Sequence, residues 1–260
     1  MNSLEMDLDH GVATIRLNRP EVHNAFDDVL IGELSAELLR VDRMQDVRVV
    51  VLAANGKSFS AGADLNWMKR MAQYTEAENL RDARALAGLM RVLNGLRKPS
   101  IACVQGAALG GGVGLVACCD IAVAADPAMF SLSEVRLGLI PSVISPYVVA
   151  AIGERAARRY FLTAERFDAR EAHRIGLVHE VVALEALDLR VQQLSAELLK
   201  NGPNAVSAAK DLIGLSKPRP VDEALVEETA RRIAAIRVTG EGREGISAFL
   251  EKRAPSWLVS

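Results

Sequence analysis

The sequence contains little cysteine and little histidine. Its three cysteines, Cys103, Cys118 and Cys119, have neither a CxxC partner nor a histidine at a ligand spacing. This pattern argues against a zinc site and against a disulfide framework, so we expect buried, reduced thiols. The four histidines are scattered, and no GxSxG motif accompanies them. A Ser-His or Cys-His hydrolase therefore has no support.

The chain also lacks an excess of charge and a long uninterrupted apolar run. The 31 Lys and Arg face 33 Asp and Glu, so no overall positive field would attract nucleic acid. The longest apolar stretch, residues 101–125, is broken by Gln105, a glycine run and Asp120, which excludes a membrane span. The first ten residues show no leader pattern. We expect a cytoplasmic protein that binds neither membrane nor nucleic acid.

Strand and helix patterns alternate over the first half of the chain. Short β-branched or apolar runs predict strands at 12–17, 47–53, 100–104 and 120–124. Helical spacing of apolar residues predicts long helices at 27–41 and 76–96. This alternation suits right-handed crossovers in a mainly parallel sheet, so we expect an α/β core.

The second half has a mainly helical pattern. Breaks are expected at Gly176, at Gly202-Pro203 and at 217–220. The segment 221–249 keeps helical spacing outside the strand-helix alternation, so its apolar face needs a partner, for which another subunit is a candidate. We predict a core domain over residues 1–200 and a helical region over residues 201–260.

Two stretches of small residues could present free backbone amides to a ligand. The first, 58–65, lies in an expected polar loop at 57–66 that follows a buried strand. The second, 106–112, follows a strand and precedes an apolar helix, whose N-terminus favours negative charge. Each has a structural alternative: a strand-to-helix turn for the first stretch and tight helix-on-sheet packing for the second.

Glu134 is the candidate for proton transfer. It lies among apolar and small residues in the stretch 130–138. Burial raises the pKa of a carboxyl group and suits it to exchange a proton near neutral pH. The alternative is a salt bridge with Arg136 or with a nearby helix.

Together these stretches resemble the enoyl-CoA hydratase/isomerase superfamily, also called the crotonase superfamily. Further matches cover the whole chain, at 17–20, 24–25, 119–122, 162–167, 172–178 and 248–253. The resemblance implies an α/β fold with a spiral core of repeated ββα turns. It also implies a C-terminal helical region that forms trimers, which often stack into hexamers.

The resemblance implies a site for an acyl-CoA thioester. Two backbone amides, which match Ala63 and Gly111, would form an oxyanion hole, and such donors typically contribute roughly a few kcal/mol each. Coenzyme A is then part of the substrate, and no metal or redox cofactor is implied. The residues that match CoA-binding positions are His23, Lys57, Ala61, Asp64, Leu65 and Lys252. For Lys252 the alternative is a solvated helix end.

One departure from the family pattern narrows the chemistry. Where two-glutamate hydratases carry their first glutamate, this chain has Gly114, and Glu134 matches the second. One-glutamate members include Δ3-Δ2-enoyl-CoA isomerases. The stretch 130–167, with 142–146 in place of a glycine-rich turn, resembles bacterial 3-methylglutaconyl-CoA hydratases of leucine breakdown.

We therefore predict reversible hydration of a 2-enoyl-CoA, such as 3-methylglutaconyl-CoA or a similar branched diacid thioester, with Glu134 as the catalytic residue. Arg136 is a candidate partner for the distal carboxylate, because it shares a face with Glu134 if the backbone is extended; a structural ion pair is the alternative. A Δ3-Δ2-enoyl-CoA isomerase is the second hypothesis. A non-catalytic or RNA-binding relative is the third.

Overall fold

The strands divide between two sheets in the computed structural model, which describes residues 3–216 and 220–258. Within these residues the strands are, in chain order, β1 (Leu4–Asp9), β2 (Val12–Leu17), β3 (Val49–Ala54), β4 (Ser58–Ser60), β5 (Ser100–Val104), β6 (Ala107–Leu109), β7 (Ile121–Ala125), β8 (Met129–Ser131), β9 (Phe167–Asp168) and β10 (Glu180–Val182).

The helices of the described residues lie between and after these strands. They are, in chain order, α1 (Asp28–Arg43), α2 (Leu65–Met71), α3 (Glu76–Asn94), α4 (Gly111–Cys118), α5 (Ser145–Thr163), α6 (Ala169–Arg174), α7 (Leu187–Leu199), α8 (Pro203–Leu215), α9 (Glu223–Arg237) and α10 (Gly240–Leu250). Short 3₁₀ helices span Pro20–Val22, Glu134–Leu137, Leu184–Ala186 and Ser256–Leu258.

The chain alternates between the two sheets as it advances. The six-stranded sheet has the order β1-β2-β3-β5-β7-β10, and the four-stranded sheet has the order β4-β6-β8-β9. Each of β3, β5 and β7 in the larger sheet is followed directly by β4, β6 or β8 in the smaller one, and helices follow each pair. This repetition confirms the predicted spiral of ββα turns.

The larger sheet is covered on both faces. All six residues of β3 are buried, as expected for a parallel strand with helices on either side. One apolar cluster joins β2 and β3 to α1 and α3, and a second joins β3, β5 and β7 to α7. Only β1 pairs antiparallel in this sheet, with β2. The centre of the larger sheet is therefore packed between helices on both faces.

Side-chain caps fix where several helices begin. The Asp27 carboxylate accepts a hydrogen bond from the Leu30 N–H at 2.8 Å and starts α1. Thr75 and Glu78 form a reciprocal capping box at the start of α3. These local devices explain why the helices predicted at 27–41 and 76–96 are observed nearly as expected.

The residue patterns did not reveal the strands of the second sheet, which only the family resemblance implied, and two predictions on element type are wrong. Residues 58–60 form the buried strand β4, so the expected polar loop at 57–66 is wrong there. The mainly helical second half is interrupted by β9 and β10, and the segment 221–249 is divided between α9 and α10. Of the break expected at 217–220, residues 217–219 lie outside the described residues.

The three cysteines are free and buried, as predicted. Burial raises the pKa of Cys103 and of Cys119 to about 12, and also raises the pKa of Cys118, so the thiols are neutral. In the described part of the chain no helix has both the length and the apolar character needed to cross a bilayer.

The C-terminal helices are joined to the core by polar contacts. The Lys210 Nζ of α8 lies 2.7 Å from the Asp120 Oδ2 and 3.3 Å from the Lys98 carbonyl oxygen. The Trp257 indole N–H donates to the carbonyl oxygen of Lys200 at 3.1 Å. The division into residues 1–200 and 201–260 stays a prediction.

Candidate active site

The three candidate stretches meet at one edge of the smaller sheet. Strands β4, β6 and β8 lie side by side in parallel. Directly after them come residues 61–64, which we call the alanine loop, residues 110–112, which we call the glycine loop, and the segment that carries Glu134. The carboxyl ends of neighbouring parallel strands share an edge, where open α/β sheets bind ligands.

Two glycines let these loops approach each other closely. A Cβ on Gly62, which has a φ of +87°, would lie 3.1 Å from the Leu109 carbonyl oxygen. A Cβ on Gly112 would lie 2.7 Å from the Ser60 carbonyl oxygen, closer than real Cβ atoms come. Tight packing therefore accounts for the glycine at position 112. The amide of Gly111 remains the candidate hydrogen-bond donor.

The Ala63 amide is held in place from both sides. The Phe26 N–H donates to the Gly62 carbonyl at 2.6 Å, and the Asp64 N–H donates to the Phe26 carbonyl at 2.7 Å. In a parallel bridge of this kind, the residue between the two bonds directs its own N–H to the opposite side. No described residue accepts a hydrogen bond from the Ala63 N–H.

Gly111 supplies a second amide without an acceptor. It is the first residue of the eight-residue α4, so its N–H has no partner within the helix. The preceding Gly110 has a φ of 50° and a ψ of -116°, and its N–H donates to the Ser131 carbonyl at 2.9 Å. Nothing among residues 3–216 and 220–258 accepts from the Gly111 N–H. The positive end of the helix dipole also lies here.

A buried charge network anchors the alanine loop. The Asp64 Oδ1 accepts from the N–H groups of Asn66 and Trp67 at 2.8 and 3.1 Å, which caps α2. The Asp64 Oδ2 lies 3.4 Å from the Arg19 Nη2, and the Arg19 Nη1 lies 2.8 Å from the Asp27 Oδ2. No local sequence signal marks this role of Arg19, because Asp64 is 45 positions away along the chain. The Asp64 carboxylate is thus already engaged.

Glu134 lies beside the glycine loop. Its Oε1 is 3.0 Å from the position that a Cβ on Gly110 would occupy. Its Oε2 is buried and has no hydrogen-bond partner among the described residues. Burial raises the pKa of Glu134, opposed only by a weaker backbone hydrogen bond. A carboxyl group of this kind can exchange a proton near neutral pH.

The prediction that Arg136 shares a face with Glu134 is wrong. Both residues lie in the 3₁₀ helix Glu134–Leu137, where side chains two positions apart point in different directions, whereas the prediction assumed an extended strand. The alternative ion pair is not observed either, since Arg136 is exposed and pairs with no described acidic residue. It is free to meet a ligand group.

The residues predicted to bind CoA divide into two groups. The Ala61 N–H donates to the His23 carbonyl at 2.9 Å, and the exposed His23 ring lies 3.1 Å from the Ser58 Oγ. Leu65 is 73% exposed at the start of α2. These three lie by the alanine loop.

The other residues predicted to bind CoA do not adjoin the alanine loop. Lys57 is exposed and precedes β4, at the opposite end of that strand from the alanine loop. Lys252 is exposed in the turn after α10, and no hydrogen bond or ion pair between described residues joins it to the loops. Trp67, which follows the alanine loop, is buried in the core, where its indole N–H donates to Asp82 at 3.1 Å.

No group of three or more His, Cys, Asp or Glu side chains among the described residues is arranged to hold a metal ion. The expectation that the reaction needs no metal or redox cofactor stays a prediction. The functional roles of the residues above also stay predictions.

Comparisons with known proteins cover the whole chain. The model of the family "Enoyl-CoA hydratase/isomerase" matches residues 7–259. The crystal structure of an enoyl-CoA hydratase from Shewanella pealeana is 48% identical, with a TM-score of 0.96 over 98% of this chain and 96% of its own. Pseudomonas aeruginosa AtuE is 40% identical, with a TM-score of 0.93 over 98% and 99% of the two chains. The 2,3-dehydroadipyl-CoA hydratase of Escherichia coli K12 is 33% identical over 99% of both chains.

Proposed function

The chain belongs to the enoyl-CoA hydratase/isomerase family, and from this premise we propose that it catalyses the reversible hydration of a 2-enoyl-CoA thioester. One observation carries the proposal. The N–H groups of Ala63 and Gly111, each without an acceptor among the described residues, lie at the same sheet edge as the half-buried carboxyl group of Glu134. This combination suits a thioester whose carbonyl oxygen gains charge while a proton moves.

The proposed reaction uses each part of the site once. The Glu134 carboxylate accepts a proton from water as the water oxygen bonds to the β-carbon and the C=C electron pair shifts toward the thioester. The thioester oxygen then carries the enolate charge, which the N–H groups of Ala63 and Gly111 stabilise. Glu134 returns its proton to the α-carbon, and the enolate collapses to the hydrated thioester. The raised pKa of Glu134 suits both transfers.

We extend the proposal to the acyl group, as a branched substrate with a distal carboxylate such as 3-methylglutaconyl-CoA. The support is Arg136, which is exposed on the 3₁₀ helix that carries Glu134 and has no ion pair with a described residue. An arginine can bind a carboxylate through two parallel hydrogen bonds. The name of the 33% identical Escherichia coli relative also describes a dicarboxylic acyl group.

Double-bond isomerisation is the second candidate, favoured because the Glu134 Oε1 lies beside Gly110 while position 114, on the adjoining helix, has no side chain. A Δ3 to Δ2 isomerase needs a single base that moves one proton between carbons. Near-ultraviolet absorbance separates the two reactions, because hydration removes the conjugated enoyl thioester and isomerisation creates it.

We also propose that the protein is a homo-oligomer, either a trimer or a hexamer. Among described residues, α9 buries only Leu225 and α10 buries only Ala248. Phe249 and Leu250 are 82% and 73% exposed. A partner subunit would cover these side chains, and light scattering after size exclusion measures whether the mass is that of one, three or six chains.

The variant Glu134→Gln tests the proposed function. It keeps the shape of the side chain but cannot accept or return a proton, so we expect turnover to fall by about 10²–10⁴-fold while CoA binding is retained. The matched control is Glu154→Gln, at an exposed glutamate paired with Arg158, which should behave as wild type. Retained hydration in Glu134→Gln would assign the proton transfer to another residue.

A further inference from the structure

The volume beside Gly114 is already occupied by another side chain. A Cβ on Gly114 would lie 2.2 Å from the Ile144 Cγ2 and 2.9 Å from the Ile144 Cβ. The Met90 Cε would be 3.2 Å away. Both neighbours are buried, Ile144 with 3% and Met90 with 0% of its surface exposed. No side chain fits at position 114 unless Ile144 moves.

This volume adjoins the candidate active site. Gly114 follows Gly111 by three residues, which is about 4.5 Å along the axis of α4. Side chains on a helix tilt toward its N-terminus, so a side chain at 114 would point back toward the Gly111 amide. Ile144 is the N-cap of α5, and α5 packs against both α4 and the 3₁₀ helix that carries Glu134.

We propose that Ile144 is the positioning residue that limits this site to one carboxylate. Its side chain takes the space through which an acid at position 114 would reach the amide of Gly111. The surface beside the Gly111 amide is therefore formed by hydrocarbon. In consequence, Glu134 exchanges its proton without a second acid. This inference rests on the proposed function for its chemical consequence, but its geometric basis can be tested separately.

A double-mutant cycle on thermal unfolding tests the geometry. Alanine has the higher helix propensity, so Gly114→Ala should raise Tm if the space were open, whereas the overlap with Ile144 should lower it. In the background of Ile144→Gly, which removes both overlapping atoms and is tolerated at an N-cap, the same change should raise Tm by roughly 2–4 °C.

The matched control for this cycle is Gly32→Ala. Gly32 is in the interior of α1, and a Cβ there would meet nothing within 4 Å. It should raise Tm by roughly 2–4 °C in both backgrounds. If Ile144→Gly does not fold, Ile144→Ala removes the Cγ2 but keeps the Cβ at 2.9 Å, so it should reduce the loss of Tm caused by Gly114→Ala without reversing it. A Gly114→Ala variant as stable as wild type, or one that Ile144→Gly does not rescue, overturns the inference.

The chemical consequence is tested by adding the missing acid. The double variant Gly114→Glu with Ile144→Gly should hydrate crotonyl-CoA at least tenfold faster than its neutral counterpart, Gly114→Gln with Ile144→Gly. A purely structural role for Ile144 predicts equal rates for the two, and that result overturns the proposal. If wild type hydrates no 2-enoyl-CoA, the proposed function fails, while the unfolding cycle still decides whether Ile144 fills the volume.

Discussion

Glu134→Gln should lose activity but gain stability at neutral pH. The Glu134 Oε2 is buried without a hydrogen-bond partner among the described residues, so the ionised carboxylate is held in an unfavourable place. An unpaired buried polar group costs about 1–3 kcal/mol, and more when it is charged. Removing the charge at constant shape should recover at least about 1 kcal/mol, which for a chain of this size raises Tm by roughly 2–4 °C.

The gain should depend on pH with a definite sign. Burial raises the pKa of Glu134 in the folded protein above its unfolded value. The protonated form is therefore favoured by folding, and its contribution to stability is complete below the unfolded pKa and lost as pH rises through the folded one. Glutamine does not titrate, so the advantage of Glu134→Gln should be small near pH 4.5 and reach a plateau above the raised pKa.

Thermal unfolding of both proteins between pH 4.5 and pH 8, beside Glu154→Gln, measures this effect. The control replaces an exposed glutamate whose ion pair with Arg158 should contribute less than about 1 kcal/mol. A Glu134→Gln variant that melts below wild type at pH 8 would refute the reasoning. A gain of the same size at every pH would do so as well, because it would not come from the charge.

Three other substitutions test the loops and the acyl end. Asp64→Ala removes the cap of α2 and should lower the free energy of unfolding in urea by about 0.5–2 kcal/mol. We also expect a fall in kcat, because the loop that carries the Ala63 amide loses its anchor. An unchanged kcat would show that the Asp64 carboxylate is not needed to position that amide. Gly110→Ala places a side chain at a φ of 50° and 3.0 Å from the Glu134 Oε1. We expect about 1–3 kcal/mol of strain and slower turnover. Wild-type stability together with wild-type turnover would contradict this prediction. Arg136→Gln should weaken kcat/KM about tenfold or more for a dicarboxylic enoyl-CoA but leave crotonyl-CoA unchanged; equal losses would exclude specific recognition.

The central strands of the larger sheet could be predicted from the sequence because β3, β5 and β7 are nearly continuous apolar runs and β2 alternates, whereas the edge strands β1 and β10 were not predicted. β2 and β5 were predicted at their observed bounds, and β3 and β7 within one or two residues. Such runs are characteristic of parallel strands covered on both faces. The long helices were equally visible through their apolar spacing and their caps.

The smaller sheet could not be predicted, although it positions the site. Strands β4, β6 and β8 have three residues each, too few for an alternating pattern to be visible. Strand β6 is Ala-Ala-Leu, and alanine gives a weak strand signal, while β4 and β8 each contain a single buried phenylalanine, which is too little to mark a strand. The stretches that contain Ala63 and Gly111 were recognised as separate loops, whereas their adjacency comes from strand pairing.

Contacts between distant residues were invisible for a different reason. Arg19 reaches Asp64 across 45 positions, and nothing local in either sequence segment marks the pair. The filling of the space beside Gly114 by Ile144 is of the same kind, because a glycine and an isoleucine are each unremarkable alone. Only the packing of α5 on α4 brings the two residues together.

Backbone groups and side chains have different parts in the proposed site. Both proposed oxyanion donors are main-chain amides, so their presence depends on Gly62, Gly110 and the strand pairing, and it is compatible with any thioester reaction that passes through an enolate. The choice among such reactions lies with the side chains that surround the donors. In the proposed reaction Glu134 supplies the proton, and in the proposed role of Ile144 its side chain keeps a second acid out of the adjoining space. A change of reaction on this backbone therefore requires the replacement of very few side chains. Of these, the Ile144 side chain is the one whose truncation opens the space beside Gly114.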